Sequence, residues 1–111
     1  VEKVSGMSLA KYTHKFIFKP LGMSHTMFNP PKKLLPIIVP TSYWESKKTL
    51  MRGIVNDPMA RDLGGVAGNA GLFSSAIDLS HFAQMLLNRG SYEGKRILKP
   101  SVVRLFKEPL L

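Results

Sequence analysis

The sequence contains no cysteine, which removes disulfides, thiolate-bound metals and thiol nucleophiles from consideration. It has no apolar run near the roughly 18 residues that a membrane-crossing helix needs. Val1-Glu2-Lys3 also lacks the charged-then-apolar layout of a signal peptide. Val1 in place of an initiating methionine fits an internal piece of a longer chain. Carboxylates are scarce: 7 Asp and Glu stand against 16 Lys and Arg, giving a net charge of +9. Such an excess can mark a binder of nucleic acid or of an anionic surface. Here the cations never run longer than a pair, as at Lys32-Lys33, and no nucleic-acid motif accompanies them, so nucleic-acid binding is not expected.

What is present is the composition of a globular chain. With 111 residues, 44% hydrophobic and 21% charged, it should fold as one domain or a piece of one. The stretch with the least ordinary composition is Gly64-Gly65-Val66-Ala67-Gly68-Asn69-Ala70-Gly71, where four glycines fall within eight residues. Glycines so spaced permit positive φ and close backbone approach. The helical pattern opening at Asp78 follows, with Ile77, Leu79, Phe82, Ala83, Leu86 and Leu87 predicted to pack inward. Two readings stand: a glycine-rich wall facing a cleft, or a tight connection between packed elements.

Elsewhere, punctuation residues set the pattern. Ser5-Gly6 ends a short helix, and Ser8 caps a second one with Leu9, Tyr12, Phe16 and Ile17 as its buried stripe. Pro20 stops that helix and leaves Pro20-Leu21-Gly22-Met23 as a turn with two apolar plugs. Four prolines between Ser24 and Pro40 exclude a long regular element there. Tyr43 and Trp44 are expected to find pockets, and Thr49 to Val55 reads as one short strand before the Asn56-Asp57-Pro58 turn. A helical turn over Met59 to Leu63, a left-handed C-cap at Gly90 and a last helix from Pro100 to Lys107 complete the chain. The scattered methionines read as core filling.

Residues able to carry chemistry are few. Ser8-Leu9-Ala10-Lys11 matches S-x-x-K, in which a lysine one turn on activates a serine. The companion motifs, a Tyr-x-Asn or Ser-x-Asn and a Lys-Thr-Gly, are missing, and Lys48-Thr49-Leu50 fails at the glycine. Ser8 therefore reads as an N-cap. His14 and His81 read as structural or exposed, because neither has metal-ligand partners at helical spacing. His25 could line a cleft. Asp78 sits at a helix start, where its charge complements the dipole, and Asp57 precedes a turn proline. No catalytic residue, metal site or cofactor follows from these groups.

Four segments stand in a telling order: Val4-Ser5-Gly6-Met7-Ser8-Leu9, Ile17-Phe18-Lys19-Pro20-Leu21-Gly22-Met23 with Thr26, Gly68 to Leu79, and Gln84-Met85-Leu86-Leu87-Asn88-Arg89-Gly90. Together they resemble the serine β-lactamase-like hydrolases, which include class C β-lactamases, penicillin-binding proteins, D-aminopeptidases and related esterases. Ile38 to Thr41 and Gly53 to Ala60 further resemble the branch attached to secreted glycosidase-like proteins. The resemblance implies that the nucleophile and tyrosine motifs lie before Val1 and the Lys-Thr-Gly-like motif after Leu111. It implies that Ser8 is not the nucleophile, and that Gly68, Asn69, Ala70 and Gly71 border the acyl pocket. The related branch often has histidine where this chain has Asn56 and Asn69, and an amide cannot titrate near neutral pH.

The expected fold is mainly α with long irregular loops and at most a small β element. Residues 1–111 would form a single partial domain, the helical lobe of a β-lactamase/transpeptidase-like fold without its sheet lobe. The parent is expected to act on a small-molecule or peptide-like substrate through an acyl-enzyme, from a periplasmic or secreted location. The isolated chain would be inactive and prone to self-association. A competing reading is a non-catalytic helical interaction module whose basic surface meets an acidic partner.

Overall fold

The computed structural model describes residues 1–107. Its elements follow in the order α1 (Glu2–Ser5), α2 (Leu9–Thr13), a π-helical turn (His14–Phe18), β1 (Met27–Phe28) and a 3-10 helix (Lys32–Ile37). Next come β2 (Ser42–Trp44), a 3-10 turn (Glu45–Lys47), β3 (Thr49–Met51), α3 (Pro58–Asp62) and β4 (Leu72–Phe73). The last are α4 (Ala76–Leu87), β5 (Ser91–Tyr92), β6 (Lys95–Arg96) and α5 (Pro100–Lys107).

The mainly α expectation needs correction. Helix of every kind accounts for less than half of the described residues, and the strands form three separate two-stranded antiparallel ladders, β1 with β4, β2 with β3, and β5 with β6. The architecture is mixed, with short helices and short antiparallel ladders alternating along the chain. The ladders were hard to foresee because each strand is only two or three residues long, too short for an alternating pattern to register. Ser42–Trp44 and Thr49–Met51 form a hairpin where a single strand was expected, and Tyr43 stays exposed. Trp44 is covered instead by cations, with the Lys47 ammonium 3.7 Å from its ring centroid and Arg61 at 5.6 Å.

The first two helices obey their local signals. Gly6 ends α1 in the left-handed conformation at φ 67°, returning its N–H to the Glu2 carbonyl at 2.9 Å. Ser8 Oγ accepts from the Lys11 N–H at 3.4 Å, and a Glu2 carboxylate oxygen accepts from the Leu9 N–H at 2.7 Å. After α2 the helix widens. The Thr13 hydroxyl bonds the Leu9 and Ala10 carbonyls at 2.9 and 3.2 Å, competing for acceptors that the helical ladder uses. The wide turn rotates the following side chains, so Phe16 is 44% exposed while Phe18 is buried.

Phe18 joins Leu21, Met23 and Met85 in the core, with Ile17, Phe82, Leu86, Tyr92, Ile97 and Leu98 packed around them. Leu21 and Met85 are fully buried, and each contributes roughly 1.5–3 kcal/mol by leaving water. The core thus sits where the Pro-Leu-Gly-Met turn, α4 and the β5–β6 hairpin meet.

The orientation of α4 departs from the predicted stripe. Its inward residues are Asp78 and Met85, with Phe82 and Leu86 partly covered, whereas Ile77, Leu79 and Leu87 are 72%, 53% and 68% exposed. Apolar residues lie on more than one side of this helix, so periodicity alone does not choose the buried face. Further large apolar side chains are exposed on α5, at Leu105 and Phe106.

The chain presents 8235 Å² of accessible surface and has a radius of gyration of 15.9 Å. A self-contained monomer of this mass would expose about 6,100 Å². A compact domain of this length would have a radius near ~13 Å.

Candidate substrate-cleft site

The glycine segment is built from α3 outward. Asp57 caps α3 by accepting from the Ala60 N–H at 2.7 Å, with Pro58 in the first turn, where a missing N–H costs nothing. The helix then unwinds through Gly64 and Gly65, at φ 81° and 82°, whose N–H groups return to Arg61 and Ala60 at 2.9 and 2.7 Å. Asn29, itself left-handed at φ 46°, donates its amide to the Gly64 carbonyl at 2.8 Å. Its side chain fills the space where a Cβ on Gly65 would stand.

Gly71, at φ 110°, crosses against Gly65 so closely that a Cβ would meet the Gly65 carbonyl oxygen. The close approach that these glycines permit is therefore made by the loop to itself. Gly68 differs, since its φ is not positive and a Cβ there would meet nothing within 4 Å.

After Gly71 the chain enters β4, pairing Leu72 with Phe28 and Phe73 with Met27. Adjacent residues of a strand point to opposite faces, so this ladder is a partition. Phe28 and Leu72 border an open hollow of about 340 Å³ that also meets Leu9, Thr13 and Phe18. Gly68, Asn69, Ala70 and Gly71 all line that hollow, with Gly68 and Asn69 exposed, Ala70 half-buried and Gly71 buried. Met27 and Phe73 border a second, more apolar hollow of about 250 Å³, shared with His25, Ile38, Thr41 and Ser74. Sequence reasoning placed His25 at a cleft but missed the hollow, whose wall is the proline-rich segment.

The end of β4 is held by a buried carboxylate. Asp78, 2% exposed, accepts from the His25 N–H at 2.8 Å and the Thr26 hydroxyl at 2.7 Å through the same oxygen. Thr26 Oγ1 also lies 2.7 Å from Ser74 Oγ, and Ser75 caps α4 by accepting from the Asp78 N–H at 3.2 Å. Asp78 sits in the first turn of α4, as expected, but its side chain also clasps a segment more than 50 residues earlier.

The remaining chemical candidates are not assembled. Ser8 serves as the cap of α2, and among the described residues no lysine amine is hydrogen-bonded to a hydroxyl. Ser24 Oγ lies 3.3 Å from His25 Nδ1, but the pair is exposed, and Asp78 bonds the His25 backbone rather than its ring. His81 is structural: Nδ1 donates to the Leu21 carbonyl at 2.9 Å, and the ring stacks on Tyr92 at 5.1 Å. Among the described residues no hydrogen bond links Asn56 to Asn69, and Asn56 does not line the hollow that Asn69 borders. Among the described residues, no cluster of three or more His, Cys, Asp or Glu is placed to hold a metal. No helix among them is long and apolar enough to cross a membrane.

The chain is similar to known proteins. A family model named Beta-lactamase matches residues 1–108, and the chain belongs to that family. It is 31% identical to a protein of Escherichia coli (strain K12) provisionally named D-alanyl-D-alanine carboxypeptidase, over 96% of this chain and 28% of the relative. It is likewise 31% identical to an N-acetylmuramyl-L-alanine amidase of Bacillus subtilis (strain 168), over 98% of this chain and 28% of the relative. Among solved structures, the octameric penicillin-binding protein homologue from Pyrococcus abyssi superposes with a TM-score of 0.59 at 25% identity. That match covers 93% of this chain and 21% of the other. The chain thus spans 28% of the length of these curated relatives.

Proposed function

We propose that this chain is part of a serine hydrolase that acts through an acyl-enzyme on amide or ester substrates, and that it supplies scaffold and one cleft wall. The observation that carries the reading is the match to the Beta-lactamase family over residues 1–108, combined with a site region that presents walls but no assembled nucleophile and base. The relatives' names, a carboxypeptidase and an amidase, favour amide bonds as the target class. The hollow at Gly68, Asn69, Ala70 and Gly71 is the part of the cleft that this chain contributes. By this reading the isolated chain releases no product from a chromogenic ester or a cephalosporin. A burst of product abolished by Ser8→Ala or Ser24→Ala would overturn it.

Residues 1–111 are, on the same proposal, one partial domain. About 2,000 Å² of surface beyond that of a self-contained monomer supports this, as do the exposed Ile77, Leu79 and Leu87 of α4. That excess is more than twice the roughly 800 Å² that each partner buries in a standard protein interface. In isolation the chain is expected to self-associate through such faces, although its net charge of +9 opposes close approach. Light scattering should find dimers or larger species at moderate salt, and Leu79→Ser with Leu87→Ser should reduce them. A monomer unaffected by these substitutions would count against the partial-domain reading.

A further inference from the structure

A hollow of different character lies beyond the C-terminus of α4. Arg89, Pro100, Ser101, Val103, Arg104 and Lys107 line this open space of about 510 Å³, and no carboxylate is among them. The two hollows beside the β1–β4 ladder, by contrast, have no lysine or arginine in their linings. Many cations elsewhere are engaged within the fold. Lys15 lies over Phe16, Lys47 and Arg61 over Trp44, Lys95 reaches the Pro20 carbonyl, and Arg96 reaches the carbonyls of Arg89 and Leu98. Arg104 is engaged as well. The Arg89 guanidinium, the Lys107 ammonium and the Ser101 hydroxyl have no partner among the described residues.

Arg89 is also held in a strained conformation. Its φ is 54°, a left-handed value that a residue with a Cβ disfavours, and Gly90 follows at 96°. The corner is fixed from both sides. The Gly90 N–H donates to the Met85 carbonyl at 2.8 Å, and the Gly90 carbonyl accepts from the Ile97 and Leu98 N–H groups at 2.8 and 3.1 Å. The Arg96 guanidinium donates to the Arg89 carbonyl at 3.2 Å. Glycine would make the same turn without strain, so the local fold does not account for an arginine there. A strained residue at a fixed corner, with its charged end free, points to a use for that end.

We propose that this hollow binds the dianionic group of a phosphate monoester, with Arg89 and Lys107 setting two positive charges against two negative ones and Ser101 adding a hydroxyl donor. Such a group carries close to two negative charges above its second pKa and presents three acceptor oxygens. A carboxylate would match only one of the two free cations. Pro100 and Val103 give the organic part of the ester an apolar wall. An open hollow suits this pairing, because opposite charges attract in water without being stripped of their hydration. The affinity is correspondingly low and falls with salt. None of these residues borders the glycine-loop hollow, so the proposal stands apart from the hydrolase reading.

Phenyl phosphate and phenylacetate, titrated at about pH 8 into the 15N-labelled chain and followed by NMR, test the pairing. Phenyl phosphate should shift the amide signals of Arg89, Ser101 and Lys107. It should bind about fivefold more tightly than phenylacetate, roughly the gain from one further charge near a cation in water. Arg89→Gly should weaken phenyl phosphate about fivefold while leaving the unfolding temperature unchanged or higher, because the left-handed corner suits glycine. Lys107→Gln should weaken it by a similar factor. Lys33→Gln removes the same charge from an exposed position outside the hollow and should change nothing.

An equal loss in Lys33→Gln would overturn the proposal, since net charge alone would then attract the ester. Phenylacetate binding as tightly as phenyl phosphate would overturn it too, as would shifts that miss residues 89, 101 and 107. Vesicles of phosphatidylcholine containing phosphatidic acid decide the source of the phosphate. Sedimentation of the chain with them, weakened by Arg89→Gly, assigns the site to a lipid headgroup, and phenyl phosphate binding without sedimentation assigns it to a soluble ester. Sedimentation that Arg89→Gly leaves unchanged would count against the proposal.

Discussion

Two neighbouring regions, the Asp78 clasp and the Val66–Ala70 loop, treat their polar groups in opposite ways. At the clasp one buried carboxylate oxygen accepts from the His25 N–H and the Thr26 hydroxyl, and Thr26 in turn meets Ser74. In the loop, five consecutive residues form no main-chain hydrogen bond with any described residue. The clasp spends its polar groups on fixing one end of β4, and the loop leaves its own available. A segment pinned at both ends, by the Gly65–Gly71 crossing and by Asp78, can present free donors and acceptors without unravelling.

That contrast can be broken by substitution. The largest effect is expected at Gly71→Ala, which combines a left-handed φ of 110° with collision against the Gly65 carbonyl. About 4 kcal/mol should be lost in urea unfolding, with the m-value unchanged. If instead the variant unfolds like the parent chain, the crossing does not pin the loop.

Asp78→Ala comes next, because it leaves the His25 N–H and the Thr26 hydroxyl without their acceptor in a buried place. The expected cost is about 3 kcal/mol, against about 1 kcal/mol for Asp78→Asn, which keeps an acceptor oxygen. Equal costs for the two variants would show that charge, not the acceptor, holds the clasp. Native-state hydrogen exchange sharpens the comparison without mutation. The His25 amide should be protected well above the amides of Val66 to Ala70. Smallest of all should be Gly68→Ala, within about 0.5 kcal/mol of neutral, since no positive φ and no neighbour require glycine there. A large loss at Gly68 would mean that the loop is tied down in solution.

Much of the local structure was legible in the sequence. Ser8 caps α2, Gly6 and Gly90 adopt left-handed φ, Pro100 opens α5, and Met59 falls in a helical turn, each as its residue type predicts. The family was legible too, through the Pro20-Leu21-Gly22-Met23 turn and the glycine segment ahead of Asp78-Leu79. The structure gathers Gly68, Asn69, Ala70 and Gly71 on one hollow; their role there belongs to the proposal. The buried face of α4 was not legible, because Leu79, Leu86 and Leu87 are equally apolar and only Leu86 meets the core. Met85 fills the core in their place, a residue whose flexible thioether marks no face in advance.

By itself the sequence determined the glycine end of α1, the Ser8 cap of α2, the proline opening of α5, and that no thiol chemistry is possible. These follow from capping, φ restriction and atom types, all of which act within a few residues. Only the tertiary structure decided that Asp78 reaches His25 and Thr26, that Gly71 lies against Gly65, and that the Met27–Phe73 and Phe28–Leu72 pairs divide two hollows. Those contacts join segments up to 53 residues apart. Their partners are chosen by which surfaces exclude water together, and that choice is made by packing rather than by neighbours in the chain.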